Sequence, residues 1–389
     1  MALITTSEKG AMVYGGNQMN ALLRGGGIVW KYAPFSPLEY FQTSSGLLSD
    51  FGSTAYIWRD SAATSPVTTS GQSIAFALDR SEGAKFSGGA FSGLGSEKVP
   101  NPGGPFVNAT GWVPGLGSPV VSVEGGQLKI VASTASRVIA EVSGLEAGQQ
   151  YVVDYSGASG IVAIRWTTNS DGSGSSGTLL VGGLVTAVNT TMYVSLIVTS
   201  VGYLSSFSVK KLLGSHASQT GSSFMPQYQP AGTTYDGLDD RMVTILKPTT
   251  EGTILARFSG DLASRVVMGS QAASDGRCFL ALDASGRLAA GIGGQSTSTI
   301  FGGADIRGET HTGAVTWDGS TVKLYLDAVE VYSAAQSGAV NTTIPIMHGA
   351  LNANGTAAAF FDGAISDALV IDRVLTPQEI TQTTNLWSA

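Results

Sequence analysis

The amino-acid sequence predicts an all-β protein built from two β-sandwiches, with a short N-terminal segment and a short C-terminal helix. Three observations carry this reading. Apolar runs of strand length recur along the chain, separated by Gly, Asn, Asp or Ser. The 389 residues include 52 Gly, and only 13% are charged, against roughly a quarter in an average globular chain. Convincing helix signals gather only at the C-terminus.

Composition narrows the function classes. Hydrophobic residues make up 43% of the chain, enough for a core and too many for a disordered protein. The balance of 21 Lys+Arg against 28 Asp+Glu gives a formal charge of -7, with no basic cluster. Nucleic acid is therefore not an expected partner, because phosphate binding needs concentrated positive charge. No segment reaches the roughly 18 apolar residues of a membrane span, so no membrane insertion is expected. The N-terminus lacks the apolar run of a signal peptide. The single cysteine, Cys278, excludes a disulfide within the chain. These features fit a protein assembled in the cytoplasm and exposed later, as a virion component is.

The elements follow in order. Residues 1–33 are too few to bury a core and run through the Gly25-Gly26-Gly27 hinge, so they read as an arm or anchor. Residues 34–105 open with short apolar runs, among them Ser53–Arg59 and Gln72–Asp79, and close with the Gly- and Pro-rich stretch 81–105, read as loop. Residues 106–212 form a self-contained β unit. Its strands are expected at Gln127–Val131, Arg137–Val142, Tyr151–Tyr155, Ile161–Trp166, Thr191–Val198 and Ser205–Leu212. Residues 213–389 carry further strands, from Met242–Leu246 to Ala364–Ile371, with a hairpin signal at Asp318-Gly319. In the terminal helix Thr376 is the N-cap, Pro377 the first helical residue, and Glu379 completes a capping box.

A resemblance sharpens this outline. Tyr235-Asp-Gly-Leu-Asp-Asp-Arg241, His311 to Asp327 and Phe361 to Ile380 together resemble the laminin G-like, concanavalin A-like jelly-roll family. The segment Trp58 to Gln72 with Leu78-Asp-Arg80 is similar to the lead-in of tailed-phage structural proteins. There it continues directly into a His-Ala-Ser-Gln stretch, which here is His216-Ala-Ser-Gln219. The resemblance thus implies that 106–212 is inserted in a laminin G-like sandwich split across 34–105 and 213–389. The insert resembles carbohydrate-binding jelly-roll modules. The family pattern implies a phage head or tail fibre or receptor-binding component. It would be attached to other virion proteins through residues 1–33, be oligomeric with a trimer favoured, and recognise host surface glycan. Architectural decoration without a host ligand and capsule depolymerisation stand as rivals.

Catalytic parts are scarce. His216, His311 and His348 are isolated, and no HExxH, GxSxG or GxxxxGK[ST] pattern occurs. Asp236, Asp239 and Asp240 read first as a turn, as Asp362 and Asp367 read as a strand start, with no marked acid for general catalysis. No catalytic residue and no certain cofactor is expected. Related folds often bind calcium, so a structural calcium site is left open without named ligands. Glycan binding needs an aromatic face and planar polar groups. The candidates are Trp112, Tyr155, Trp166, Asn169 and Tyr193. Core packing is the competing reading for Trp112 and Trp166, and a structural role is the reading for Trp317.

Overall fold

The structure is a computed structural model. It describes residues 11–14, 17–24, 27–32, 36–42, 44–82, 84–87, 90–99, 105–272, 276–294 and 299–388. The N-terminal stretch forms a three-stranded antiparallel meander of Ala11–Tyr14, Asn17–Arg24 and Gly27–Tyr32, in which Arg24 pairs with Gly27. Gly25 and Gly26 of the expected hinge lie outside the described residues.

Two large sheets make the outer sandwich. One has Gly252–Gly260 at its centre, between Thr310–Trp317 and Asp362–Ile371. The other runs from Thr299–Gly302 through Leu288–Gly293, Arg277–Leu282 and Arg265–Gln271 to Ile57–Trp58. Ile254, Phe258, Val315, Trp317 and Ile365 from the first meet Met268, Leu280, Ala290 and Ile292 from the second in one core. Gly252–Gly260 is buried on both faces because the C-terminal helix covers its outer side. There Leu255, Leu369 and Tyr325 pack with Ile380 and Tyr40, and the Tyr40 hydroxyl donates to the Glu379 carbonyl (2.9 Å). The helix spans Pro377–Trp387 and starts at the expected capping box: Thr376 Oγ1 accepts the Glu379 N–H, and Glu379 Oε2 accepts the Thr376 N–H. At the expected hairpin Gly319 takes φ +84°, and the Asp318 carboxylate accepts the N–H groups of Ser320 and Thr321.

Residues 112–212 carry a second pair of sheets with their own core, including Leu128, Val138, Val153, Leu196 and Val209. One sheet contains Gln127–Val131, Ser136–Ser143, Ser159–Thr167 and the long strand Thr191–Leu204. The other orders Gly183–Thr186, Gln150–Ser156, Ser206–Leu212 and Leu94–Glu97. The stretch 81–105, read as loop, therefore supplies strands. Lys85–Ser87 pairs with Ala90–Ser92, and Leu94–Glu97 joins the sheet of the second unit. Gly and Ser dilute the strand signal there, but Phe86 and Phe91 lie 5.1 and 5.6 Å from the Trp58 ring and hold the hairpin down.

Other expected strands shrink. Ser53–Arg59 begins as a 3-10 turn, Thr54–Tyr56, before the two-residue strand Ile57–Trp58. Met242–Leu246 keeps only Met242–Val243.

The junction between the units is continuous across the intervening chain. Phe76 and Ala77 pair with Ser218 and Ala217, so the segments on either side of the second unit lie side by side. Around this junction Trp58, Phe76 and Phe91 of the outer unit pack with Val152, Leu184 and Leu212 of the second.

Candidate functional site

A concavity opens on the outer face of the second unit's smaller sheet. Along Gln150–Ser156, Tyr151 and Val153 enter the core, whereas Val152, Asp154 and Ser156 occupy the opposite face. Along Ser206–Leu212, Phe207 and Val209 enter the core and Ser206, Ser208 and Lys210 face outward. Val152 is covered by the junction. Beyond it the face stays open as a cleft of about 860 Å³, lined by Glu97, Gln127, Asp154, Ser156, Ser205, Ser206, Ser208 and Lys210 among others.

The cleft floor is pre-ordered. Glu97 Oε1 accepts the N–H groups of Val209 (2.7 Å), Lys98 (3.0 Å) and Val99 (3.3 Å), and its Oε2 accepts the Ser208 hydroxyl (2.7 Å). Gln127 Nε2 donates to Ser205 Oγ at 2.7 Å, and the Ser156 and Ser206 hydroxyls are hydrogen-bonded to each other at 2.6 Å. These bonds hold the serine oxygens in place along the floor, and the Ser208 proton is directed at Glu97. The side chains of Asp154 and Lys210 form no hydrogen bond or ion pair among the described residues.

The five residues singled out from sequence fall elsewhere. Trp112 and Trp166 are 3% and 2% exposed, so neither presents an open face to a sugar. Trp112 meets Phe207 edge-on at 5.7 Å, and Tyr155 stacks on the same ring at 6.3 Å while its hydroxyl donates to the Leu179 carbonyl. The even spacing of Tyr151, Val153 and Tyr155 already places Tyr155 on the core side. Tyr193 is half-buried on the outer face of the opposite sheet, and Asn169 is exposed in the loop that follows Ser159–Thr167. They meet at Thr167, whose hydroxyl reaches both carbonyls at 3.3 Å. Reading the alternation of Asp154 and Ser156, and of Ser206, Ser208 and Lys210, finds the cleft that a search for aromatics misses.

Trp317 is structural, 1% exposed with its indole N–H donated to the Thr249 carbonyl (3.0 Å). Cys278 is fully buried, and burial pushes its thiol well above the usual range. His311 Nδ1 sits 2.7 Å from Asp327 Oδ2, while Asp327 Oδ1 accepts the Thr312 N–H, a clasp between neighbouring strands.

Asp236, Asp239 and Asp240 build a turn. Asp236 Oδ1 accepts the N–H groups of Leu238, Asp239 and Asp240, and Asp240 Oδ2 accepts that of Asp236. Their carboxylates also lie within 4.8 Å of one another, the one such group of potential metal ligands among the described residues. Burial first, then the charges of Asp236 and Asp239, push Asp240 up to about 7. The structure thus marks an acid of raised proton affinity where the sequence showed none. Burial alone would raise Asp236 as well, but the three N–H groups outweigh it and hold it below the ordinary value. Arg241 turns away, donating to the Asp239 carbonyl and lying 4.0 Å over the Phe224 ring. Oxygen donors with uncompensated negative charge suit a hard cation such as calcium. None of the three lines the cleft.

Comparison with known proteins places the outer unit. Residues 248–381 match the family described as the concanavalin A-like lectin/glucanases superfamily. The matched stretch runs from Gly252–Gly260 to the first residues of the C-terminal helix. This part of the chain has a lectin-like fold, and among the described residues no helix is long and apolar enough to cross a membrane. No curated protein matches the chain in sequence.

Among solved structures, the CBM40 of Ruminococcus gnavus IT-sialidase bound to α2,3-sialyllactose is 19% identical. That match covers 35% of this chain and 83% of that one, with a TM-score of 0.31. An SAP-like pentraxin from Limulus polyphemus is 13% identical over 38% and 78% of the two chains (TM-score 0.32). A NanB sialidase mutant from Streptococcus pneumoniae is 16% identical over 35% and 24% (TM-score 0.30).

Proposed function

We propose that the protein is a non-enzymatic glycan-binding component of a tailed-phage virion, a head or tail fibre or receptor-binding protein. The observation that carries the glycan reading is the cleft of the inserted unit, where hydrogen-bonded serine hydroxyls lie beside the Asp154 carboxylate and the Lys210 ammonium, neither of them paired among the described residues. Such a surface matches sugar hydroxyls, which both donate and accept. Its lining includes no aromatic residue, so a single site binds weakly, and avidity from several copies supplies useful attachment. A glycan array probed with the full chain tests this; a flat response, repeated with whole virions, overturns it.

The virion role is supported by the lead-in pattern, whose two halves meet at the Ala77–Ala217 pair. In this reading residues 1–33 attach the protein to other virion components. In this reading the protein is an oligomer, a trimer being favoured by the resemblance to fibre proteins, and a row of exposed valines on three adjacent strands supports self-association. Val120 pairs with Val131 and Val131 with Val201, at 65%, 40% and 40% exposure. Mass measurement in solution and cross-linking of residues 1–33 in virions test the two points.

The acidic turn supports a structural calcium held by Asp236, Asp239 and Asp240. Its raised and lowered carboxyls also resemble an acid–base pair. Because the cleft lies elsewhere, the cation reading accounts for them better. New reducing ends from host polysaccharide would reverse that preference.

A further inference from the structure

We infer that the cleft takes an uncharged, hydroxyl-rich saccharide and rejects carboxylated sugars, a refinement that rests on the glycan reading above. The argument is one of charge and hydrogen-bond direction. Glu97 spends both oxygens on Val209, Lys98, Val99 and Ser208, so it orients the floor and does not reach for a ligand. Because Ser208 donates to Glu97, its oxygen offers lone pairs to the cleft. Ser205 accepts from Gln127, so its own proton is free to donate. Neighbouring sugar hydroxyls, each donor and acceptor at once, match that alternation; a carboxylate, which only accepts, does not.

The charges point the same way. Asp154 stands opposite Ser208 in the strand register and diagonal to Lys210, which in turn stands opposite Glu97. Lys210 thus has two acidic residues as cross-strand neighbours, with Cβ separations of about one strand spacing and one diagonal, roughly 5–8 Å. The cleft carries two acids against one base, so an approaching carboxylate meets net negative charge. The exposed Asp154 carboxylate is suited to accept two adjacent hydroxyls, which a neutral sugar ring presents along its edge.

The test uses the full chain against neutral oligosaccharides printed beside their sialylated and uronylated counterparts, at low and moderate salt. The expected result is binding to neutral members at least tenfold tighter than to their acidic counterparts. Asp154→Ala should weaken neutral binding at least tenfold, and Asp154→Asn should narrow the discrimination against acidic sugars. Asp154 is exposed and has no side-chain partner among the described residues, so both variants should fold, which melting curves verify. Equal or tighter binding of the acidic members, lost when Ser208→Trp fills the cleft, overturns this inference and leaves the glycan reading standing. No binding to any member overturns both.

Discussion

The backbone N–H of Asp79 donates to Nδ1 of His216 at 2.9 Å, joining residues 137 positions apart on either side of the second unit. The same aspartate accepts the N–H groups of Leu48, Ser81 and Ser215 and the hydroxyl of Ser81. Accepting at Nδ1 places the imidazole proton on Nε2, and burial pushes the ring down to about 3, so His216 stays neutral. One buried carboxylate and one neutral ring therefore close the outer sandwich where the chain leaves and returns. Asp79→Ala strips three backbone donors of their acceptor. It should cost at least about 2 kcal/mol by the usual penalty for buried unsatisfied groups. Urea unfolding measures it, and an unchanged midpoint contradicts the clasp.

Acid sensitivity should trace partly to His348. Its ring is fully buried 5.2 Å from Phe51, neither nitrogen has a partner among the described residues, and burial pushes it down to about 3. A depressed pKa contributes stability that is fully present above the unfolded value near 6.5 and is lost as pH falls toward 3. At pH 4 the loss at this residue is about 3 kcal/mol, from 1.36 kcal/mol per pKa unit. Asp79 and Asp367, both raised to about 6 chiefly by burial, act oppositely: their contributions are present at low pH and lost as pH rises through about 6. Comparing His348→Leu with the natural chain cancels those carboxyls. Between pH 7.5 and 4 the difference in unfolding free energy should move about 3 kcal/mol in the variant's favour; a constant difference contradicts it.

Calcium should raise the melting temperature through the Asp236–Asp240 turn, since a ligand that binds only the folded state stabilises it. Asp239→Asn should abolish the response while leaving the turn intact, because Asp236 and Asp240 make its side-chain bonds. The cation must displace the proton from Asp240, so the response should be weaker at pH 5.5 than at pH 8. A calcium-independent melting curve removes the site.

Thr376→Ala should cost about 1 kcal/mol, the ordinary worth of an N-cap. Helix loss would expose Leu255 and Leu369, so circular dichroism and unfolding should report it together.

Much of this architecture was legible in the alternation of side chains. Gln127–Val131 and Thr321–Leu326 form as expected, because β-branched and apolar residues alternate there between clear turn signals. Strands such as Leu94–Glu97 escaped notice because Gly and Ser provide no apolar face, and their pairing is set by the partner Ser206–Leu212. The cleft was hidden for a related reason. Serines at alternate positions look like solvent-facing filler, and only the fold places Ser156, Ser205, Ser206 and Ser208 beside one another. The aromatics drew attention because sugars stack on rings, but Trp112 and Tyr155 spend their rings on Phe207 inside the sandwich.

The most direct measurement compares glycan capture by the full chain with that by Ser206→Trp, which fills the cleft, and by Tyr193→Ala on the opposite sheet. Capture should fall at least tenfold in Ser206→Trp at unchanged melting temperature and stay level in Tyr193→Ala. Capture that survives the filled cleft, or that disappears with Tyr193, would contradict the assignment of this cleft as the saccharide site.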